Sequence, residues 1–268
     1  MPTIAILGTK DIAMMPSIVD VNGLNCISRM IFTRAAGAIC GMVDAQLDKE
    51  AGKPIIVASM FGNTTSCVNQ AKEILEDAGY EVLVFHATGS GGQAKESLIE
   101  SGMVAGVLDV TTTEWADEVV GGVLSAGPSR MDAMSKAKVP AVIAPGCVDM
   151  VNFGERDSVP EKFEGRNFYI HNPQITLMRT TADECAEIGR IIAEKANANS
   201  APVCILNPLK AVSEIKGEGQ AFYDSEADNA LFDAIGAHAK VEIIDMEETI
   251  NSPVFAKACA DKLLSLLG

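Results

Sequence analysis

Short apolar runs rich in valine and isoleucine alternate along the chain with longer stretches whose apolar positions recur every three or four residues. The first pattern suits buried strands and the second suits helices packed on one face. Strands are expected at 3–7, 54–60, 81–86, 106–110, 141–144, 203–206 and 241–245. Helical spacing predicts helices over 25–46, 65–78, 93–101, 114–120, 132–137, 181–197, 226–237 and 253–267. Local signals sharpen some of these ends. Thr180 or Thr181 can cap the 181–197 helix, with Asp183 and Glu184 in its first turn, and Gly79 suits the position after a helix. The 25–46 stretch places Ile27, Met30, Ile31, Ala35, Ala38, Ile39 and Met42 at helical spacing, and its alanines and glycines predict a largely buried helix. Residues 146–178 carry few helical signals and read as irregular. Residues 207–225, polar and glycine-containing, read as a surface excursion or a lid.

Continuous apolar strands separated by helices describe a parallel sheet covered on both faces. The expected class is therefore α/β, a Rossmann-like three-layer fold with a mainly parallel sheet. Residues 1–50 read as an N-terminal strand and long linker helix contacting a partner half, and residues 51–268 as the Rossmann-like domain.

Composition narrows the partners. The 268 residues carry a formal charge of −15, which repels nucleic-acid backbones and anionic lipid, so neither is an expected partner. No run of ~18 uncharged apolar residues suggests a membrane span. The first residues read as a strand rather than a signal peptide. Seven cysteines, odd in number and without a C-x-x-C pair, suggest neither a disulfide framework nor a zinc finger, and a reducing cytoplasm is expected. Three histidines without metal-site spacing argue against a catalytic zinc.

Ligands of open parallel sheets sit at the carboxyl ends of the strands, and that rule ranks the polar residues. HATGSGGQ (86–93) ends a strand at His86 and runs through Thr88, Gly89, Ser90, Gly91 and Gly92 into a helix, where free amides and the helix dipole favour an anion. It is neither a Walker A loop nor G-x-G-x-x-G; a plain tight turn is the alternative. LDVTTTEWADE (108–118) closes a strand with Asp109 and follows it with Thr111, Thr112, Thr113 and Glu114. Helix capping explains part of that motif. APGCVDMVNFG (144–154) offers Cys147, Asp149 and Asn152, though a cysteine without a matched histidine is more often structural. HNPQITLMRTT (171–181) offers His171 and Arg179 as a carboxylate or phosphate clamp.

These motifs, with GTKDIAMMPSIVDVNGLNCISR (8–29) and FGNTTSCV (61–68), together resemble the Tm-one-like ATP-binding family, over essentially all the chain from residue 8. The resemblance implies two Rossmann-like halves, of which this chain looks like the second only. It further implies a separate polypeptide supplying the first half, or a homo-oligomer, and ATP with Mg as the conceivable cofactor. Two functions follow as expectations. One is a subunit binding a small anionic metabolite or nucleotide within a two-part hydrolase or lyase, with His86, Asp109 and Glu114 as acid or base. The other is a non-catalytic ATP-binding, regulatory or interaction module.

Overall fold

The computed structural model describes residues 12–20, 22–46 and 52–268. The chain divides into two compact units, Met1–Gly52 and Lys53–Gly268. The strand expected at 3–7 lies outside the described residues.

In the first unit, helix α1 spans Cys26–Asp44, and the Asn25 side chain caps it by accepting from the amides of Ile27 and Ser28. Its expected burial is corrected. Only Ser28 and Ile31 are buried, while Ile27, Met30, Phe32, Ile39, Met42 and Val43 are exposed. Alanine and glycine content made the helix look like a core element, but apolar side chains project from most of its circumference. By length and composition alone it could also cross a bilayer, although Arg29 and Arg34 leave it without a long uncharged run.

The second unit is built on a six-stranded sheet of β1 (Ile55–Met60), β2 (Glu81–His86), β3 (Val104–Thr111), β4 (Ala141–Gly146), β8 (Val203–Pro208) and β9 (Glu242–Met246). The spatial order is β2-β1-β3-β4-β8-β9, and every neighbouring pair is parallel. Alternate residues of each strand feed two separate cores. Val57, Val107, Ile143 and Ile205 face α3 (Ser90–Glu100), α4 (Glu114–Val120), α5 (Asp132–Ala137), α6 (Ala182–Ala198) and α7 (Ser225–His238). Ile99, Trp115, Met134, Ile188 and Leu231 complete that layer. Ile56, Leu108, Val142 and Leu206 face α2 (Thr65–Asp77) and α8 (Pro253–Leu267), through Val68, Leu75, Phe255 and Leu263. Period-two strands buried on both sides require a helical layer on each, and the three-layer α/β fold follows.

The stretch 146–178 is not irregular. It forms a second, antiparallel sheet of β5 (Met150–Phe153), β6 (Phe168–Asn172) and β7 (Ile175–Arg179) in the order β5-β7-β6. Strands of four or five residues are too short to show a clear period, and two single-turn helices between β5 and β6 obscure the pattern further. The 207–225 segment is an excursion packed onto the domain: Phe222 is buried with Cys147, Met150 and Leu177, and its amide bonds back to the Ile215 carbonyl.

Candidate functional site

Strand β1 is followed in sequence by β2 on one side, and the chain then returns across it to β3 on the other. The strand order therefore reverses between β1 and β3, and a crevice opens where the loops after these parallel strands diverge. A cavity of about 540 Å³ lies there. Phe61, Gly62 and Asn63 follow β1 along it, and His86 and Thr88 end β2. Val123 and Leu124 follow α4, while Asn152 and Phe153 of β5 and His171, Gln174, Ile175 and Leu177 of the small sheet close the far wall, with Glu214 at its edge. The small sheet positions this wall: Asn152 pairs with Leu177 in register. The exposed His86 ring meets Phe61 edge-on at 5.4 Å between centroids. Asn152 is 1 % exposed, and its Oδ1 has no hydrogen-bond partner. Such an orphaned acceptor is costly unless something donates to it.

Of the residues expected at a site, His86, Thr88, Asn152 and His171 line this cavity together. The others do not. Helix α3 begins at Ser90 rather than at 93, so Gly91 and Gly92 belong to its first turn. The Gly89 and Gly92 amides donate to Glu114 Oε1 at 2.7 and 3.2 Å, and the Ser90 amide donates to the Thr88 carbonyl at 2.9 Å. The anion expected on the glycine turn is thus an internal carboxylate. The glycines permit its approach, since a Cβ on Gly92 would stand 2.3 Å from Glu114 Oε1, and one on Gly91 would stand 1.8 Å from the His86 carbonyl oxygen.

Glu114 in turn belongs to a buried charge cluster. Arg130 donates from Nε to Glu114 Oε2 at 2.6 Å and through both terminal nitrogens to Asp109 at 2.7 Å each. Lys95 Nζ reaches Asp109 Oδ2 at 2.6 Å, and Glu96 accepts from Arg130 at 3.3 Å. Lys95, Asp109, Glu114 and Arg130 are all 1 % exposed or less. Burial alone would push the Asp109 carboxyl up, but Arg130 and Lys95 outweigh it and hold it well below the usual carboxylate range. Burial, with Arg130 beside it, pulls the Lys95 ammonium down. Asp109 and Glu114, expected as acid or base, are held here as sealed ion-pair partners. Lys95 and Arg130 were missed. A lysine four residues before Ile99, on the buried side of α3, was the available signal.

The three threonines are sealed too. Thr111 Oγ1 sits 2.7 Å from Thr64 Oγ1, Thr112 Oγ1 donates to the Ala144 carbonyl at 3.1 Å, and Thr113 is fully buried. Thr111 and Thr112 tie strand ends together, while Thr113 Oγ1 is buried with no hydrogen-bond partner. Cys147 is fully buried, and burial pushes its thiol well above its ordinary value, which suits packing and not nucleophilic attack. Asp149 is buried and accepts from Ser213 Oγ at 2.6 Å; burial raises its carboxyl despite Arg179. Arg179 is consumed as a tie: Nε donates to the Phe222 carbonyl at 2.9 Å and Nη2 to Asp228 Oδ1 at 2.7 Å. Lys216, also buried, holds the other Asp228 oxygen at 3.0 Å. No free guanidinium clamp results.

Asp117 was missed as well. It lies one turn into α4, is 1 % exposed, and has no cation among its hydrogen-bond partners. Its Oδ1 accepts from the Asn152 amide at 3.0 Å and the Leu124 amide at 3.3 Å, and its Oδ2 accepts from Asn152 Nδ2 at 2.7 Å. Burial pushes its carboxyl up to about 7, against the pull of those bonds. An acid in a first turn reads as a dipole partner, which hid it.

A larger open groove of about 1010 Å³ runs between α7 and the edge strand β9, with Asn207, Asp228, Phe232 and Asp245 in its walls. It lies away from the β1/β3 reversal.

Fold and cavity define a doubly wound α/β protein with a mainly apolar cleft at its switch point. Residues 53–267 match the C-terminal domain of the uncharacterised protein family UPF0261, and residues 2–48 match that family's N-terminal domain. The chain belongs to the UPF0261 family. It is 52% identical over 265 residues to a UPF0261 protein of Clostridium tetani, covering 97% of this chain and 66% of that protein. It is 42% identical over 270 residues to the ToMV resistance protein Tm-1(GCR237) of Solanum lycopersicum, covering 97% of this chain and 36% of that protein. A UPF0261 protein of Rhizobium meliloti is 47% identical over 255 residues, 93% of this chain and 63% of its own. The chain thus spans 66% or less of these relatives. The reading of it as the family's second half alone is corrected, because residues 2–48 match the N-terminal domain and the alignments run along almost the whole chain. A thioesterase domain from the curacin biosynthetic pathway superposes at TM-score 0.37 and 9% identity, covering 81% of this chain and 92% of its own, too distant to carry an argument.

Proposed function

We propose that this chain is a small-molecule-binding module whose ligand enters the β1/β3 cleft. The observation that carries the reading is a cavity of about 540 Å³ at the sheet's switch point, walled mainly by apolar and aromatic side chains. The cleft lining includes no lysine or arginine, and its one carboxylate is Glu214. A phosphate placed inside would meet no lysine or arginine, so the part of the ligand that enters carries no phosphate. Phe61, His86 and Phe153 favour a flat ring. ATP with Mg fits this proposal only with its base inside and its phosphates outside. Binding without turnover is favoured over hydrolase or lyase chemistry, since Asp109 and Glu114 are committed to Arg130.

The test is thermal-shift titration with adenosine, ATP with Mg, and neutral bicyclic rings against wild type and Val123→Trp, which fills the mouth from a residue 64% exposed. Stabilisation by a ring compound, lost in the variant, supports the reading. No shift from any compound, or an equal shift in Val123→Trp, contradicts it.

The partner reading rests on α1. Its exposed apolar side chains call for cover, and its two arginines would cost roughly 2.5–3.5 kcal/mol each at the centre of a bilayer, which favours protein over lipid. The occupant proposed is the remainder of the family's N-terminal domain, carried on a separate polypeptide in the cytoplasm. Co-purification from the native source supports this; a monomer that stays monodisperse without detergent contradicts it.

A further inference from the structure

One wall of the cleft depends on a single carboxyl group. The chain leaves α4 at Gly121, whose φ of 99° suits glycine, and folds back over the helix it has just ended. Val123 and Leu124 thereby join the cavity lining, Val123 being 64% exposed. The return is close, since a Cβ on Gly122 would stand 1.9 Å from Asp117 Oδ1 and 2.7 Å from Val151 Cγ1. Asp117 Oδ1 accepts from the Leu124 amide at 3.3 Å and the Asn152 amide at 3.0 Å, while Oδ2 accepts from Asn152 Nδ2 at 2.7 Å. The carboxyl thus fastens the loop to β5, and the Val123 amide adds a bond to the Asn152 carbonyl at 2.9 Å. All three groups that bond the carboxyl are N–H donors. Two ionised oxygens suit them, but a carboxylic acid does not, because its hydroxyl must itself donate. Protonation also turns charge-assisted bonds into neutral ones of roughly half the strength. The Leu124 bond, the longest of the three, is the first to yield.

We infer that Asp117 is the positioning residue of this wall: ionised, it clamps residues 122–124 onto β5, and on taking up a proton it loosens Val123 and Leu124, so that a ring in the cleft is held less tightly. The inference rests on the cleft being the ligand site. Beyond Leu124 the loop is fastened independently of Asp117. Ser125 Oγ donates to Glu118, and the Ser125 carbonyl oxygen would stand 2.7 Å from a Cβ on Gly89. The movement is therefore confined between Gly122 and Ser125. The charged groups around Asp117 are few among the described residues. From its own helix Glu114 acts on it and opposes ionisation, while Glu118 is turned to Ser125. The neighbouring helix α6 brings Lys195, bonded to Asp132, and Arg190, bonded to Glu187 and Glu194. The Lys162 ammonium approaches the loop at Gly121, 4.0 Å from where a Cβ would stand there, and β5 contributes the uncharged Asn152. With no cation bonded to it and burial raising its carboxyl to about 7, both states are populated near neutral pH.

The test uses quinoxaline, a flat bicyclic ring that stays unprotonated, so that any pH dependence comes from the protein. Its affinity is measured by ligand-observed NMR from about pH 5 to about pH 9, with the Asp117 carboxyl carbon and the Leu124 amide followed in the same samples. Quinoxaline should bind throughout and tighten by about five- to tenfold as pH rises, one hydrogen bond's worth, with the midpoint of the Asp117 titration. Linkage requires the converse: saturating quinoxaline should lower that midpoint by about 0.7 to 1 pH unit. Asp117→Asn, which keeps an acceptor for the loop amides but never a charge, should bind at the weaker, acid-form level at every pH. His86 and His171 line the same cavity, and a pH dependence that survives in Asp117→Asn belongs to them and overturns the inference. So does a constant affinity for quinoxaline seated in the cleft, or a Leu124 amide that does not follow the Asp117 titration; each leaves the cleft reading intact. Quinoxaline that leaves the cleft signals unmoved at every pH overturns both. Should Asp117→Asn not fold, the Leu124 amide of the ligand-free wild type and the midpoint shift on saturation decide between the same outcomes.

Discussion

Helix α4 carries two buried carboxylates one turn apart, and they live in opposite surroundings. Glu114 shares Arg130 with Asp109 and closes a cluster in which both terminal nitrogens and Nε of the guanidinium are bonded to carboxylate oxygens. Asp117 has three hydrogen bonds, all from amides, and no cation. Burial acts on both regions alike. What differs is the compensation: a paired charge stays charged and becomes structural, while an unpaired one shifts its titration into the neutral range. The sealed cluster fixes the sheet-to-helix loops, and the unpaired acid is left able to respond.

The sharpest way to break this contrast is Arg130→Met, which strands Asp109 and Glu114 together with one lysine. A buried pair that loses one partner costs roughly 3–5 kcal/mol, so the variant should unfold at much lower urea or fail to accumulate. A loss under about 1 kcal/mol would mean the cluster is solvated.

Next in size is the pH dependence conferred by Asp117. Its folded carboxyl is raised to about 7, so the folded protein keeps a proton that the unfolded chain has already released. Stability therefore falls as pH rises from about 4 to about 7, by up to about 1.4 kcal/mol per unit, and levels off above that window. Asp109, held low, acts the other way: its contribution is present above the usual carboxylate range and is lost as pH falls below it. Asp117→Asn should remove the first slope, so the variant gains on wild type between about pH 4 and pH 7 in denaturant titrations. Parallel curves for the two proteins would contradict the assignment.

The smallest effect is expected from Lys95→Met. Bidentate Arg130 still neutralises Asp109, and a buried ammonium pulled down by burial is removed. A change of about 1 kcal/mol in either direction is expected by chemical denaturation. A loss as large as that of Arg130→Met would make the lysine, and not the guanidinium, the centre of the cluster.

The contrast also explains what could be read in advance. The parallel sheet was legible because strands such as IIVASM and EVLVFH are apolar on both faces, and β3, β4 and β8 repeat that pattern. The antiparallel sheet was not, because MVNF and ITLMR are too short to display a period. Strand ends drew attention to His86, Thr88, Asn152 and His171 in three separate motifs, and the fold brings all four to the lining of one cavity. Asp109, Glu114 and Arg179 were drawn to the ligand by the same rule, yet each is satisfied by a partner distant in sequence: Arg130, Arg130 and Asp228. Position along a strand shows where a side chain starts, and the partner that neutralises it comes from elsewhere in the fold. The glycine turn misled for the same reason, since its anion is a glutamate 22 to 25 residues away.

The most direct measurement is amide chemical-shift mapping of the protein with quinoxaline at about pH 5. Shifts confined to residues 61–63, 86–88, 123–124, 152–154 and 171–177 are expected if the switch-point cleft takes the ligand. Shifts centred on residues 89–92 with the cleft silent, or no shifts at all, would contradict it.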